Sequence, residues 1–108
     1  MKRFQRAFAF LLLVALVFAG AAAAEENSKL QVHFLRIGRN DGILISMNGE
    51  TAFIDGGSRY HGNVAADYME KLGVTHLNYY IGTHAHSDHV GAACSLLARI
   101  PADEILYT

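Results

Sequence analysis

From Leu30 onward, apolar and polar positions along the chain switch between two periods. Leu30, Val32 and Phe34 alternate with Gln31, His33 and Leu35, the two-residue period of a strand, and predict a strand over Leu30–Ile37. Gly38–Gly42 (GRNDG) is a glycine-bounded turn. Further strands are predicted over Ile43–Met47 and Thr51–Ile54. Asn48-Gly49 between them is the strongest two-residue hairpin signal, because both positions tolerate positive φ. The three strands read as an antiparallel meander. Asp55-Gly56-Gly57-Ser58 ends the third strand in a loop.

The period then lengthens. Val64, Ala65, Tyr68, Met69 and Leu72 form a helical stripe, with Asn63 as its expected cap and Gly73 in the C′ position. A strand is predicted over Leu77–Ile81 and, after a histidine-rich loop, a helix over Val90–Ile100 that Pro101 stops. Val90, Cys94 and Leu97 share one face of that helix, so Cys94, the only cysteine, is expected to be a small buried hydrophobe. Ile105–Tyr107 begins a further strand. There is no internal repeat and no low-complexity linker.

The first residues follow a different logic. Lys2, Arg3 and Arg6 precede an apolar run from Ala7 to Phe18 and a small-residue stretch from Gly20 to Ala24. That order reads as a secretory signal peptide over residues 1–24, with Ala22 and Ala24 before the cleavage point. The expected location is secreted or periplasmic. An uncleaved run would instead act as a membrane anchor, Ala7 to Ala24 being near the lower limit for spanning a bilayer; cleavage would leave no stable span. Residues 25–108 form the expected domain. They carry six basic and ten acidic residues, a net charge of −4 with neutral histidines. That gives no basic patch for tight nucleic-acid binding. A lone cysteine allows no internal disulfide.

The chemistry concentrates in Thr83–Ala92 (THAHSDHVGA), where three of the six histidines and an aspartate occupy six positions. Side chains repeat direction every two residues at a strand end, so His84 and His86 can grip one ion. Asp88 and His89, at a helix entrance, can turn toward a second. Nitrogen and carboxylate donors suit zinc, and manganese or iron accept similar ligands. Two such ions about 3.5–4 Å apart activate water and stabilise a leaving oxygen. The competing reading, unrelated surface polar residues, sits badly with this clustering.

His84-x-His86-x-Asp88-His89 resembles the HxHxDH signature of the metallo-β-lactamase superfamily. HFLRIGRNDGILI, TAFIDGG and YMEKLGVTHLNYYIGTHAHSDHVGA resemble the secreted domain of ComEC-type competence proteins and their exported stand-alone relatives. The first stretch departs from that group's FLDVGQGD at Arg36, Arg39 and Asn40. The resemblance implies an α/β fold, the N-terminal half of a metallo-β-lactamase αββα sandwich, with a mixed sheet flanked by helices. It implies two zinc ions in the complete fold, His84 and His86 on the first, Asp88 and His89 on the second, with Asp88 also the catalytic carboxylate. Asp55 and Thr83 then orient the ligands from behind. For Asp55 the alternative is an Asx-turn beside the paired glycines. His33, His61 and His76 match no ligand position; His76 is expected at a strand edge and His61 in a loop. The remaining ligands belong to the second half of such a fold. Here only Asp103 and Glu104 follow the motif as ligand-capable groups, so the chain is expected to be incomplete and to need that missing half as its partner.

The implied activity is hydrolysis by a two-metal-activated hydroxide attacking a phosphodiester, DNA included, or an ester or amide. The substrate is thus a small molecule or a nucleic acid. A β-lactamase is the alternative within the class. A non-catalytic truncated fragment that binds metal or a partner is the alternative outside it.

Overall fold

A computed structural model describes every residue of the chain except Arg39, and the side chains of Lys2 and of residues 18–27 lie outside the described residues. Arg39 and the expected cleavage-site side chains of Ala22 and Ala24 therefore fall outside them. The order is α1 (Lys2–Asn27), β1 (Gln31–Phe34), β2 (Gly42–Met47), β3 (Glu50–Asp55), α2 (Gly62–Lys71), β4 (Leu77–Gly82), α3 (Ser87–Val90), α4 (Ala93–Arg99) and β5 (Ala102–Tyr107). Among the described residues no helix is long and apolar enough to cross a membrane.

The five strands form one mixed sheet in the order β1-β2-β3-β4-β5. The predicted meander is present: β1 and β2 are antiparallel, as are β2 and β3. Asn48 at φ 54 and Gly49 at φ 82 make the tight turn that sets Met47 opposite Glu50. β3–β4 and β4–β5 are parallel, each pair joined through helices. Leu44, Phe53 and Tyr80 lie side by side in register and pack under Ala65, Ala66 and Met69 of α2 and Leu96 of α4. Side-chain direction alternates along a strand, so their neighbours Ile43, Ile54 and Ile81 point to the opposite face. On that face Val32, Phe34, Tyr79 and Leu106 are exposed, and no helix covers it among the described residues.

Several expectations need correcting. β1 ends at Phe34: Leu35 adds one last bond to β2, its N–H donating to the Gly42 carbonyl (2.8 Å), before Ile37 tucks into the core. Asn63 does not cap α2; His61 is the N-cap residue and makes no side-chain capping bond. The stripe that α2 buries is Gly62, Ala65, Ala66 and Met69, while Val64, Tyr68 and Leu72 are exposed. The reason is Gly62: a Cβ there would sit 1.9 Å from Ser95 Oγ and 2.7 Å from the Ala92 carbonyl, so only glycine lets α2 approach α4 this closely. Gly73 does close the helix. Its N–H reaches the Glu70 carbonyl and that of Val74 reaches Met69, the paired bonds of a Schellman ending.

The single helix expected over Val90–Ile100 is two helices. The N–H of Ala92 donates to the Gly57 carbonyl at 3.0 Å instead of continuing the helical ladder, which breaks it between α3 and α4. The break rotates the second half. Ala92, Leu96 and Ile100 become its buried face and Cys94 is exposed, against the expectation of burial. β5 begins at Ala102, three residues before the predicted Ile105.

Candidate metal centre

The end of β1, the start of β2 and the ends of β3, β4 and β5 meet at one edge of the sheet. The histidine loop leaves β4 there and Asp55 closes β3 there. Asp55 is 3% exposed and holds φ 60, a left-handed conformation that costs a non-glycine residue about 1 kcal/mol or more. The Tyr80 hydroxyl donates to its carbonyl at 2.8 Å. Its carboxylate is fully engaged. Oδ1 accepts the Thr83 N–H at 2.8 Å, and Oδ2 accepts the Thr83 hydroxyl at 2.7 Å and His89 Nδ1 at 3.1 Å.

Those bonds fix the charge and the tautomers. Burial pushes the Asp55 carboxyl up, but the N–H and hydroxyl of Thr83 and the His89 ring outweigh it, so its pKa lies below the ordinary carboxylate value. An ionised carboxylate only accepts, so His89 Nδ1 carries a proton, and in the neutral ring Nε2 is the atom with the lone pair. Thr83 has one hydroxyl proton, spent on Asp55. At 3.1 Å its oxygen must therefore accept from His84 Nδ1–H, which leaves His84 Nε2 with a lone pair as well. One buried carboxylate thus orients both imidazoles through their Nδ1 atoms, the arrangement by which outer groups orient inner ones in metal sites.

One donor pair has a spacing close to that of two ligands on a single divalent ion. His89 Nε2 lies 3.6 Å from Asp88 Oδ2; two donors on one tetrahedral zinc stand about 3.3 Å apart. The rings of His84 and His86 are 4.8 Å apart, edge to face, and those of His84 and His89 are 3.9 Å apart. Among the described residues no three of His, Cys, Asp or Glu converge on a single ion position. The structure thus gathers all six candidate residues, His84, His86, Asp88, His89, Asp55 and Thr83, at one edge. It does not bring Asp103 there. That carboxylate pairs with His76 Nε2 at 2.8 Å, at the other end of β4 and β5. The part played by Tyr80 is not legible in the sequence, where it sits like any core residue of an apolar strand.

This sheet-and-helix arrangement matches part of the metallo-β-lactamase fold. A metallo-β-lactamase HARLDQ-motif mutant from Cronobacter sakazakii is 24% identical with a TM-score of 0.61, over 68% of this chain and 30% of that one. The metallo-β-lactamase SMB-1, bound to 2-mercaptoethanesulfonate, is 22% identical with a TM-score of 0.61, over 68% of this chain and 29% of that one. MEM-A1, a subclass B3 metallo-β-lactamase from a soil metagenome library, is likewise 22% identical at 0.61, over 68% and 28%. The chain therefore spans about 30% of the length of these proteins. No family model and no curated protein matches it.

Proposed function

We propose that this chain carries the first ligand cluster of an exported, metal-dependent hydrolase. The observation behind the reading is the Asp55 network: two imidazoles at one sheet edge have Nδ1 committed and Nε2 left for an ion, in a fold shared with metallo-β-lactamases. His84 and His86 hold one ion, and Asp88 and His89 a second. Zinc suits this donor set, with manganese or iron as substitutes. Bound there, divalent ions supply Lewis acidity, which polarises the scissile group and makes water nucleophilic near neutral pH. Asp55 keeps His89 and, through Thr83, His84 from rotating or changing tautomer. Asp88, open to solvent, orients the attacking water. The preferred substrate is a phosphodiester, extracellular DNA included, on the likeness of the β1–β2 stretch to ComEC-type domains; a β-lactam is the competitor. Export rests on the basic and apolar order of residues 1–24.

Zinc titration into the full chain, followed by imidazole nitrogen NMR, tests this. Nε2 of His84 and of His89 should shift while their Nδ1 signals stay, and the His89 response should vanish in Asp88→Ala. Zinc that leaves both imidazoles unchanged would sink the reading. The loaded chain is then offered bis(4-nitrophenyl) phosphate and a chromogenic cephalosporin. Binding without cleavage of either would point to the non-catalytic metal- or partner-binding alternative.

A further inference from the structure

We propose that Arg59, braced by Tyr60, receives the anionic part of the substrate, a phosphate or carboxylate oxygen beside the scissile bond; this rests on the hydrolase reading above. The loop that joins β3 to α2 is tied to the histidine segment. The Gly57 N–H donates to the His89 carbonyl at 3.2 Å, and the Gly57 carbonyl accepts from Ala92 at 3.0 Å. Two residues on, the Arg59 nitrogen lies 2.9 Å from where a Cβ on Gly91 would be, so its backbone is packed against the end of α3. The guanidinium is therefore carried by a loop fixed to the candidate centre.

Its side chain is held without being neutralised. The guanidinium carbon stands 4.7 Å from the Tyr60 ring centre and Nη2 donates to the Tyr60 hydroxyl at 2.5 Å. Both residues are exposed. Among the described residues no carboxylate pairs with Arg59, whereas Arg99 is occupied by Asp67 and Glu70 at 2.7 Å each. The Tyr60 ring and hydroxyl brace the guanidinium, and its remaining N–H groups form the two-pronged donor that matches phosphate or carboxylate. Charge favours such a cation. Residues 25–108 are net acidic and Asp88 stands open at this edge, so a fixed positive group beside the ligand cluster assists the approach of an anionic substrate.

The test begins without metal. Inorganic phosphate is titrated into the labelled full chain at low ionic strength, and the Arg59 side-chain N–H signal and the amides of residues 57–60 are followed. A saturable shift is expected. Arg59→Gln should weaken phosphate binding about fivefold, Arg59→Lys should restore part of it, and Lys71→Gln, at the far end of α2, should leave it unchanged. Equal affinity in the parent and Arg59→Gln, or an equal loss in Lys71→Gln, overturns the proposal. Since this titration needs neither zinc nor turnover, its failure and that of the hydrolase reading are separable. In the zinc-loaded chain, Arg59→Gln should raise KM for bis(4-nitrophenyl) phosphate and leave KM for neutral 4-nitrophenyl acetate unchanged. A fall in kcat on both substrates with KM unaltered would mark Arg59 as merely structural and overturn the assignment.

Discussion

Asp55 and Asp88 are both carboxylates at the same edge, yet they do opposite work. Asp55 is buried beneath the histidine loop and accepts three hydrogen bonds; Asp88 projects into solvent. Asp55→Ala leaves the part-buried donors of Thr83 and His89 without their acceptor and should cost about 1–2 kcal/mol. Asp88→Ala should cost less than about 0.5 kcal/mol. Urea unfolding of the two variants checks the contrast. Tyr80 offers a second probe. Burial, and then the Asp55 charge, push its phenol up to about 12. A raised folded pKa means its contribution is complete below about pH 10, the ordinary tyrosine value, and is lost as pH rises from there through about 12. Ultraviolet titration should show Tyr80 ionising late, with unfolding free energy falling in the same window. Tyr80→Phe should remove that late step and cost about 1 kcal/mol. At this scale the sequence displayed the histidines and Asp88 by spacing alone. It could not show Tyr80, because a hydroxyl aimed at a backbone carbonyl leaves no mark on an apolar strand.

Strands and turns were more legible than helices. The Asn48-Gly49 hairpin demanded positive φ and received it at both positions, and the meander followed. The helices depart from the sequence pattern where a tertiary contact overrides local periodicity. Nothing within Val90–Ile100 announces that Ala92 gives its N–H to Gly57. The buried side of α2 differs from its apolar stripe because it is set by the smallest residue on it. Gly62 is not in a left-handed conformation, so its role is clearance alone. Gly62→Ala should drive α2 from α4 and cost about 2 kcal/mol or more through overpacking, seen as a lowered thermal midpoint. Adding Ser95→Gly should recover only part of that loss, since the Ala92 carbonyl remains in the way.

For the whole molecule, the two faces of the sheet respond differently to truncation. Phe53, fully buried between sheet and helices, should cost about 3–5 kcal/mol when changed to alanine. Phe34, 78% exposed on the open face, should cost within about 0.5 kcal/mol, and its loss should reduce binding of an apolar dye. Denaturant titration and dye fluorescence measure the two effects. Strand order in the sheet equals strand order in the chain, and this has a kinetic consequence. Each strand docks beside the one made just before it, and none waits to be threaded between two others. Loop closures stay short and their entropy cost stays modest. A chain that emerges from its N-terminus can thus lay down the sheet strand by strand. Pulse-labelled hydrogen exchange during refolding should find amides of β2, β3 and β4 protected before those of β5. The carboxylate–threonine–histidine wiring would then be in place while the last strand is still unpaired.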